Sequence, residues 1–322
     1  MDTTARGPDR SGARAAIGLD GAVPPTPAPA GDPSDQPDLV LVAGIEVGAR
    51  RGLRARLRAA RRTGAHVVVV DPLAGPRGRP PHGADELVQV APGGDQALFA
   101  LLSRLVLESG CVDELFVERR TTGAEDFRRR LEGLEVDALL HRAGVGREQV
   151  EALARRYRSA RLVHAHWGRG LTAQPDQAAA VEELTGLLLL RGHPAPSYAF
   201  PTTPVDLDLP PRGTLVLRAL RSHRALRRAA RHDVRGRLTP RGPGHRVLLV
   251  EGVDRETLGI AEEEVLDVVA ADGSARVDDV QVVDTPLSRG GVVAPADVVA
   301  ALLDGRPGAS VPVRLERHPD AS

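Results

Sequence analysis

The chain has no lysine and no asparagine, so every fixed positive side chain is a guanidinium and no asparagine amide is available to any site. Its single cysteine, Cys111, excludes an intrachain disulfide and any iron–sulfur cluster held by four thiolates of this chain. That is compatible with a reducing compartment. Aromatic residues amount to 2%, so Leu, Val and Ala must fill the interior. Net charge is also lacking: 43 basic residues balance 43 acidic ones, which argues against whole-chain attraction to nucleic acid or anionic lipid. The longest apolar run, "LTGLLLL" at 184–190, is too short to span a bilayer. Residues 1–36 lack the apolar segment of a secretory or twin-arginine leader and read as a disordered tail. A cytoplasmic location is the expectation.

What is present is the composition of a globular protein, 42% hydrophobic and 27% charged, in a chain of 322 residues, long enough for about two domains. "DLVLVAG" at 38–44 is an apolar run of strand length, followed by a helical stretch with Leu53, Leu57 and Ala60 at helical spacing and Gly64 as its stop. "HVVVVDP" then reads as a strand covered on both faces, completing a β-α-β unit. "ELVQV" is a further strand, and Asp95 is placed to cap the helix of "DQALFALLSRLVLESG". Several short helical stretches follow, then an amphipathic helix over 147–160, the strand "RLVHAHW", and a helix in "PDQAAAVEELTGLLLLRG" beginning near Pro175. This alternation predicts a doubly wound, mostly parallel α/β layer over 37–192.

The proline-dense stretch 193–212 reads as a linker. Beyond it, 213–316 changes texture to short strands, "TLVLRAL", "HRVLLVEG", "EVLDVVAADGSARVDDVQVV" and "ASVPVRLE", with a hairpin signal at Asp272-Gly273 and helical character only in "VDRETLGI" and "PADVVAALLDG". A small β-barrel is expected there, with a short tail at 317–322. No internal repeat is visible.

Four pieces, "VVVVDPL", "APGGDQALFALL", "HWGRGLT" and "LTGLLLLRG", stand in an order that resembles the molybdopterin oxidoreductase superfamily, specifically its formate-dehydrogenase-like branch in the DMSO reductase group. The later pieces "LRALRSH", "HRVLLVEGVDRETLGIAEEEVLDVVAADG" and "RVDDVQVVDTPLSRGG" look like that family's dinucleotide-binding barrel, a double-psi type. The resemblance covers roughly 37–294. It implies a molybdopterin guanine dinucleotide cofactor contacted by Asp71, Gly93, Asp95, Gly168, Gly170 and Thr172, and from the second half by Arg221, Ser222 and His223.

Each of these residues also has a plainer role. Asp71 ends a strand and could serve only the turn before Pro72, and Asp95 could serve only as a cap. Arg221, Ser222 and His223 offer donors suited to phosphate, yet lie in an arginine-rich stretch that a solvated loop would also explain. That stretch and "RRGLRARLRAARR" are the local features favouring nucleic acid, but stacking aromatics are absent. His164 and His166 share one strand face, but no further ligands stand at a compelling spacing, so no metal site is expected. The family's amide-rich segment after the helix ending at Gly192 is replaced by "HPAPSYAF", and neither a molybdenum ligand nor the family's remaining domains can be named. Two readings follow: a cofactor-binding portion of a redox enzyme completed by a separately encoded partner subunit, or a degenerate homologue kept as a scaffold.

Overall fold

A computed structural model describes residues 36–45, 47, 50–72, 80–81, 83–172, 179–193, 195–207, 215–220, 246–261, 264–284, 291–303 and 310–317. Four strands, β1 (Leu39–Ala43), β2 (His66–Val70), β3 (Glu86–Val88) and β4 (Val163–Trp167), form a sheet in the order β3-β2-β1-β4. All three pairings are parallel. β1 and β2 are apolar at nearly every position because both faces are covered. On one face Val40, Val42, Val67 and Val69 meet Leu57 of helix α1 (Arg51–Arg62). The other face carries Leu39, Leu41, Val68 and Val70 under a larger core drawn from the helices that follow.

Those helices are α2 (Asp95–Glu108), α3 (Glu114–Arg120), α4 (Ala124–Glu132), α5 (Val136–Ala143), α6 (Arg147–Ser159), the one-turn α7 (Arg169–Thr172) and α8 (Ala179–Leu190). α2 is buried along most of its length, as expected of a helix with no continuous polar face. Asp95 is not its N-cap: Gly94 holds that place without a side-chain hydrogen bond, and Asp95 is the first helical residue. There its carboxylate still favours the positive helix end. β4 lies at the sheet's edge and alternates accordingly, with Val163, Ala165 and Trp167 in the large core and His164 and His166 half-buried on the α1 face.

The described part of the proline-rich stretch packs onto this layer. Phe200 and Val205 enter the large core, and Gln96 clamps the chain by donating to the Pro204 carbonyl (3.0 Å) and accepting from the Asp206 amide (3.1 Å). A buried ion pair joins α4 to α8: Arg130 reaches both carboxylate oxygens of Glu183 at 2.8 and 3.1 Å and lies over the Phe127 ring. Glu183 is fully buried, which pushes its carboxyl up to about 7 against the pull of the guanidinium.

The second core lies in a closed barrel of β5 (Leu215–Leu220), β6 (Val247–Val250), β7 (Val265–Ala270), β8 (Arg276–Asp284), β9 (Gly291–Pro295) and β10 (Ser310–Arg317), in the order β10-β5-β9-β6-β8-β7. Among the described residues two short helices accompany it, α9 (Gly252–Thr257) and α10 (Ala296–Leu303). The Asp272-Gly273 turn joins β7 to β8 as anticipated, with Gly273 at φ +72. β9 was not anticipated. A fully buried Asp267 pairs with Arg276 and accepts from the Asp279 amide at 3.2 Å, where Asp279 has φ +58.

Replacing Arg130 with Met strands a buried carboxylate, so we expect a loss of about 3 kcal/mol in urea unfolding. The Arg130→Met/Glu183→Met double variant should recover most of that loss.

Candidate functional site

The geometry of the sheet puts four chain turns on one edge. Ala43 is level with Val70 on one side and Trp167 on the other, and Val70 is level with Val88. The next residues along the chain, Gly44, Asp71, Gly168 and Gln89, therefore all leave the sheet at its carboxyl edge, where open α/β sheets bind ligands.

The β1 and β4 turns are joined there by backbone alone. The Gly168 amide donates to Ala43 (3.1 Å) and the Gly170 amide to Gly44 (2.9 Å). Gly44 sits at φ +60, and a Cβ on it would come within 2.4 Å of the Leu171 nitrogen. A Cβ on Gly170 would meet the Gly44 Cα at 2.7 Å, and one on Gly168 would meet Ile45 Cγ1 at 2.7 Å. The close approach these glycines permit is thus taken up by the protein's own chain.

The β2 and β3 turns are linked by the Asp71 amide donating to Val88 (3.2 Å) and Gln89 Nε2 donating to the Pro72 carbonyl (3.0 Å). Asp71 itself is half-buried at the edge. Beyond Gln89, Gly93 (φ +75) faces the guanidinium of Arg142, whose nearer terminal nitrogen would stand 3.0 Å from an added Cβ. Gly94 lies against the Ala143 carbonyl, and Asp95 is buried, with 4% of its surface exposed.

The edge thus gathers Asp71, Gly168 and Gly170, with Gly93 and Asp95 on the connection leaving β3. Thr172 closes α7, and its side chain lies outside the described residues, as do Arg221, Ser222 and His223 altogether. Arg142 went unnoticed in the sequence. It is buried at the end of α5, donates to the Pro92 carbonyl (3.3 Å) and approaches Asp206 (3.4 Å), and nothing in "HRAGVG" separates it from the many other arginines.

Among the described residues no group of three or more His, Cys, Asp or Glu stands close enough to hold an ion, the two histidines of β4 included. Burial lowers His166 to about 4, helped by His164 and Arg56. A second buried histidine, His193, was also missed. It packs edge-on against Tyr157 at 5.6 Å, its Nε2 has no hydrogen-bond partner, and burial lowers it to about 4, with Arg191 adding to the effect. Among the described residues no helix is long and apolar enough to cross a membrane.

No family model matches the chain. It is 33% identical over 176 residues to an uncharacterized oxidoreductase of Mycobacterium tuberculosis, a match covering 48% of this chain and 23% of that protein. Formate dehydrogenase H of Escherichia coli is 29% identical over 160 residues, covering 49% and 22%. An assimilatory nitrate reductase of Haloferax mediterranei is 34% identical over 134 residues, covering 42% and 18%. The chain is thus a homologue of the enzymes its motif order resembles, at modest identity and over about half its length. The match spans less than a quarter of each of these relatives.

Three outcomes follow. Gly44→Ala combines positive φ with a backbone clash and should cost about 3 kcal/mol in thermal or urea unfolding. Gly52→Ala, where an added Cβ meets nothing within 4 Å, should gain up to about 1 kcal/mol. His193 ordinarily titrates at 6.5, so in the unfolded chain it takes a proton that the folded one refuses until about 4. Its contribution to stability is complete above 6.5 and is lost as pH falls toward 4, by about 3 kcal/mol in all. His193→Leu should remove that component, read as the difference between the pH profiles of the two proteins.

Proposed function

We propose that the chain is the molybdopterin-guanine-dinucleotide-binding portion of a formate-dehydrogenase-like oxidoreductase, in which the α/β layer over 37–192 and the barrel over 213–316 are its two cofactor-binding domains. The proposal extends to the architecture, with the α/β layer doubly wound and the barrel of the double-psi type. One observation carries the reading: β1, β2 and β4 end level, so Gly44, Asp71 and Gly168 share a single carboxyl edge. The homology to formate dehydrogenase and nitrate reductase supports it.

The chemistry of the described edge fits the nucleotide end of such a group. A half-buried carboxylate, Asp71, suits a guanine edge or a ribose, each charge-assisted bond contributing about 1.5 to 3 kcal/mol. Asp95 adds a second carboxylate in the first turn of α2, and Gly168 and Gly170 bring to the edge two positions without a side chain. Arg221, Ser222 and His223 are proposed to supply donors to phosphate from the barrel side. When bound, the cofactor supplies two-electron redox chemistry at its metal. This chain's residues hold and orient its nucleotide, and its single cysteine cannot supply the four thiolates of an iron–sulfur cluster. The substrate chemistry belongs to protein outside the matched segment, in the proposal a separately encoded partner subunit, and the assembly is cytoplasmic.

Protein purified from a host with intact cofactor synthesis should carry molybdenum or tungsten and release guanosine monophosphate on acid hydrolysis. Asp71→Ala should lower that release at least about tenfold, with circular dichroism showing the fold retained. Absence of both metal and nucleotide from the native protein overturns the reading.

A further inference from the structure

The α1 face of the sheet, ending in a cleft at its amino edge, carries a feature this function leaves unused. Residues 50–62 hold seven arginines and no acidic residue, in a chain whose net charge is zero. Arg51, Arg54, Arg58 and Arg62 follow one another at helical spacings of three and four, a stripe about 16 Å long at 1.5 Å per residue. Except for the half-buried Arg54 these side chains are exposed, and the same is true of Arg56 and Arg61. Arg61 pairs with Asp85 at 2.5 Å, whereas Arg51, Arg54, Arg56, Arg58 and Arg62 have no carboxylate within ion-pair reach among the described residues. The stripe ends in an open cleft of about 580 Å³ lined by Arg58, Arg61, Arg62, His66 and Asp85.

We propose that this stripe and cleft are a docking surface for an acidic segment of a partner protein, with carboxylates meeting the arginine row. Guanidinium forks bind carboxylates in a two-point geometry that ammonium groups cannot match. The cleft already accommodates one carboxylate, that of Asp85, of which Arg61 holds one oxygen through a single terminal nitrogen while the other accepts from the Val67 amide at 2.9 Å. The same Asp85, with Glu86 beside it on His66 (3.4 Å), opposes the uninterrupted negative charge of a nucleic-acid backbone but leaves room for discrete side chains. Residues 50–66 contain no Phe, Tyr or Trp to stack on a base, the one imidazole there, that of His66, facing Glu86, and present no exposed large apolar side chain to enter a lipid surface. α1 leaves the carboxyl end of β1 and runs back, so the cleft lies at the amino edge, away from Gly44, Asp71 and Gly168. Docking there is independent of any cofactor.

The test is fluorescence anisotropy of a labelled oligoglutamate with the full chain, against oligothymidylate of equal charge and phosphatidylserine vesicles. The native protein should bind oligoglutamate most tightly, with affinity falling as salt rises. Arg58→Gln/Arg62→Gln should weaken binding at least about fivefold, while Arg119→Gln/Arg120→Gln on α3 leaves it unchanged. Circular dichroism checks that both variants keep the fold. Equal affinity in the first variant, an equal loss in the second, or tighter binding of oligothymidylate or vesicles overturns the proposal.

Discussion

The arrangement depends on two turns touching through bare backbone. Gly44 and Gly170 approach so closely that neither tolerates a side chain, and their hydrogen bond continues the β1–β4 pairing past the end of the sheet. An edge strand held only by its ladder would be free to splay at that end. Tied to β1 through Gly168 and Gly170, β4 instead delivers its glycine turn level with Asp71. The candidate site is in this sense a consequence of sheet register, with the glycines acting on the scaffold before any ligand is considered.

Among the described residues buried charge is used sparingly, and the two buried acidic ion pairs join separate elements, one across a long stretch of chain and one across a hairpin. Glu183 and Arg130 connect α8 to α4, and Asp267 connects β7 to the start of β8 and to the strained Asp279. Such pairs contribute little net stability compared with apolar packing, but removing one partner is costly, which makes them determinants of arrangement. Arg142 belongs with them: it covers Gly93 and ties the end of α5 to both the β3–α2 connection and the proline-rich strap at Asp206. That strap is held through the Gln96 amide and two apolar anchors, Phe200 and Val205.

Local signals in the sequence carried the elements they directly encode. β1 reads as an apolar run of strand length and β2 as a strand covered on both faces because Val occupies both, and the Asp272-Gly273 hairpin follows from turn chemistry alone. The alternating "VHAHW" matches an edge strand with one polar face. Features set by distant partners were not legible. β9 is five residues beginning at a glycine and ending at Pro295, and its strand character comes from pairing with β5 and β6. The strap has no periodicity because its contacts are single anchors. Asp95 stood at a capping spacing, yet Gly94 takes the cap, and no spacing rule distinguishes those neighbours. Gly168 and Gly170 suggested close approach correctly, but a sequence cannot say what approaches, and here it is Gly44 and Ile45. Arg142 and His193 owe their burial entirely to tertiary packing.

The central claim is that the level carboxyl edge is a nucleotide-binding surface, and the most direct measurement is a guanosine diphosphate titration followed by backbone amide chemical shifts. The account predicts saturable shifts concentrated at Gly44, Asp71, Asp95, Gly168 and Gly170. Shifts confined to the arginine cleft at the opposite edge, or no saturable shift at the carboxyl edge, would contradict it.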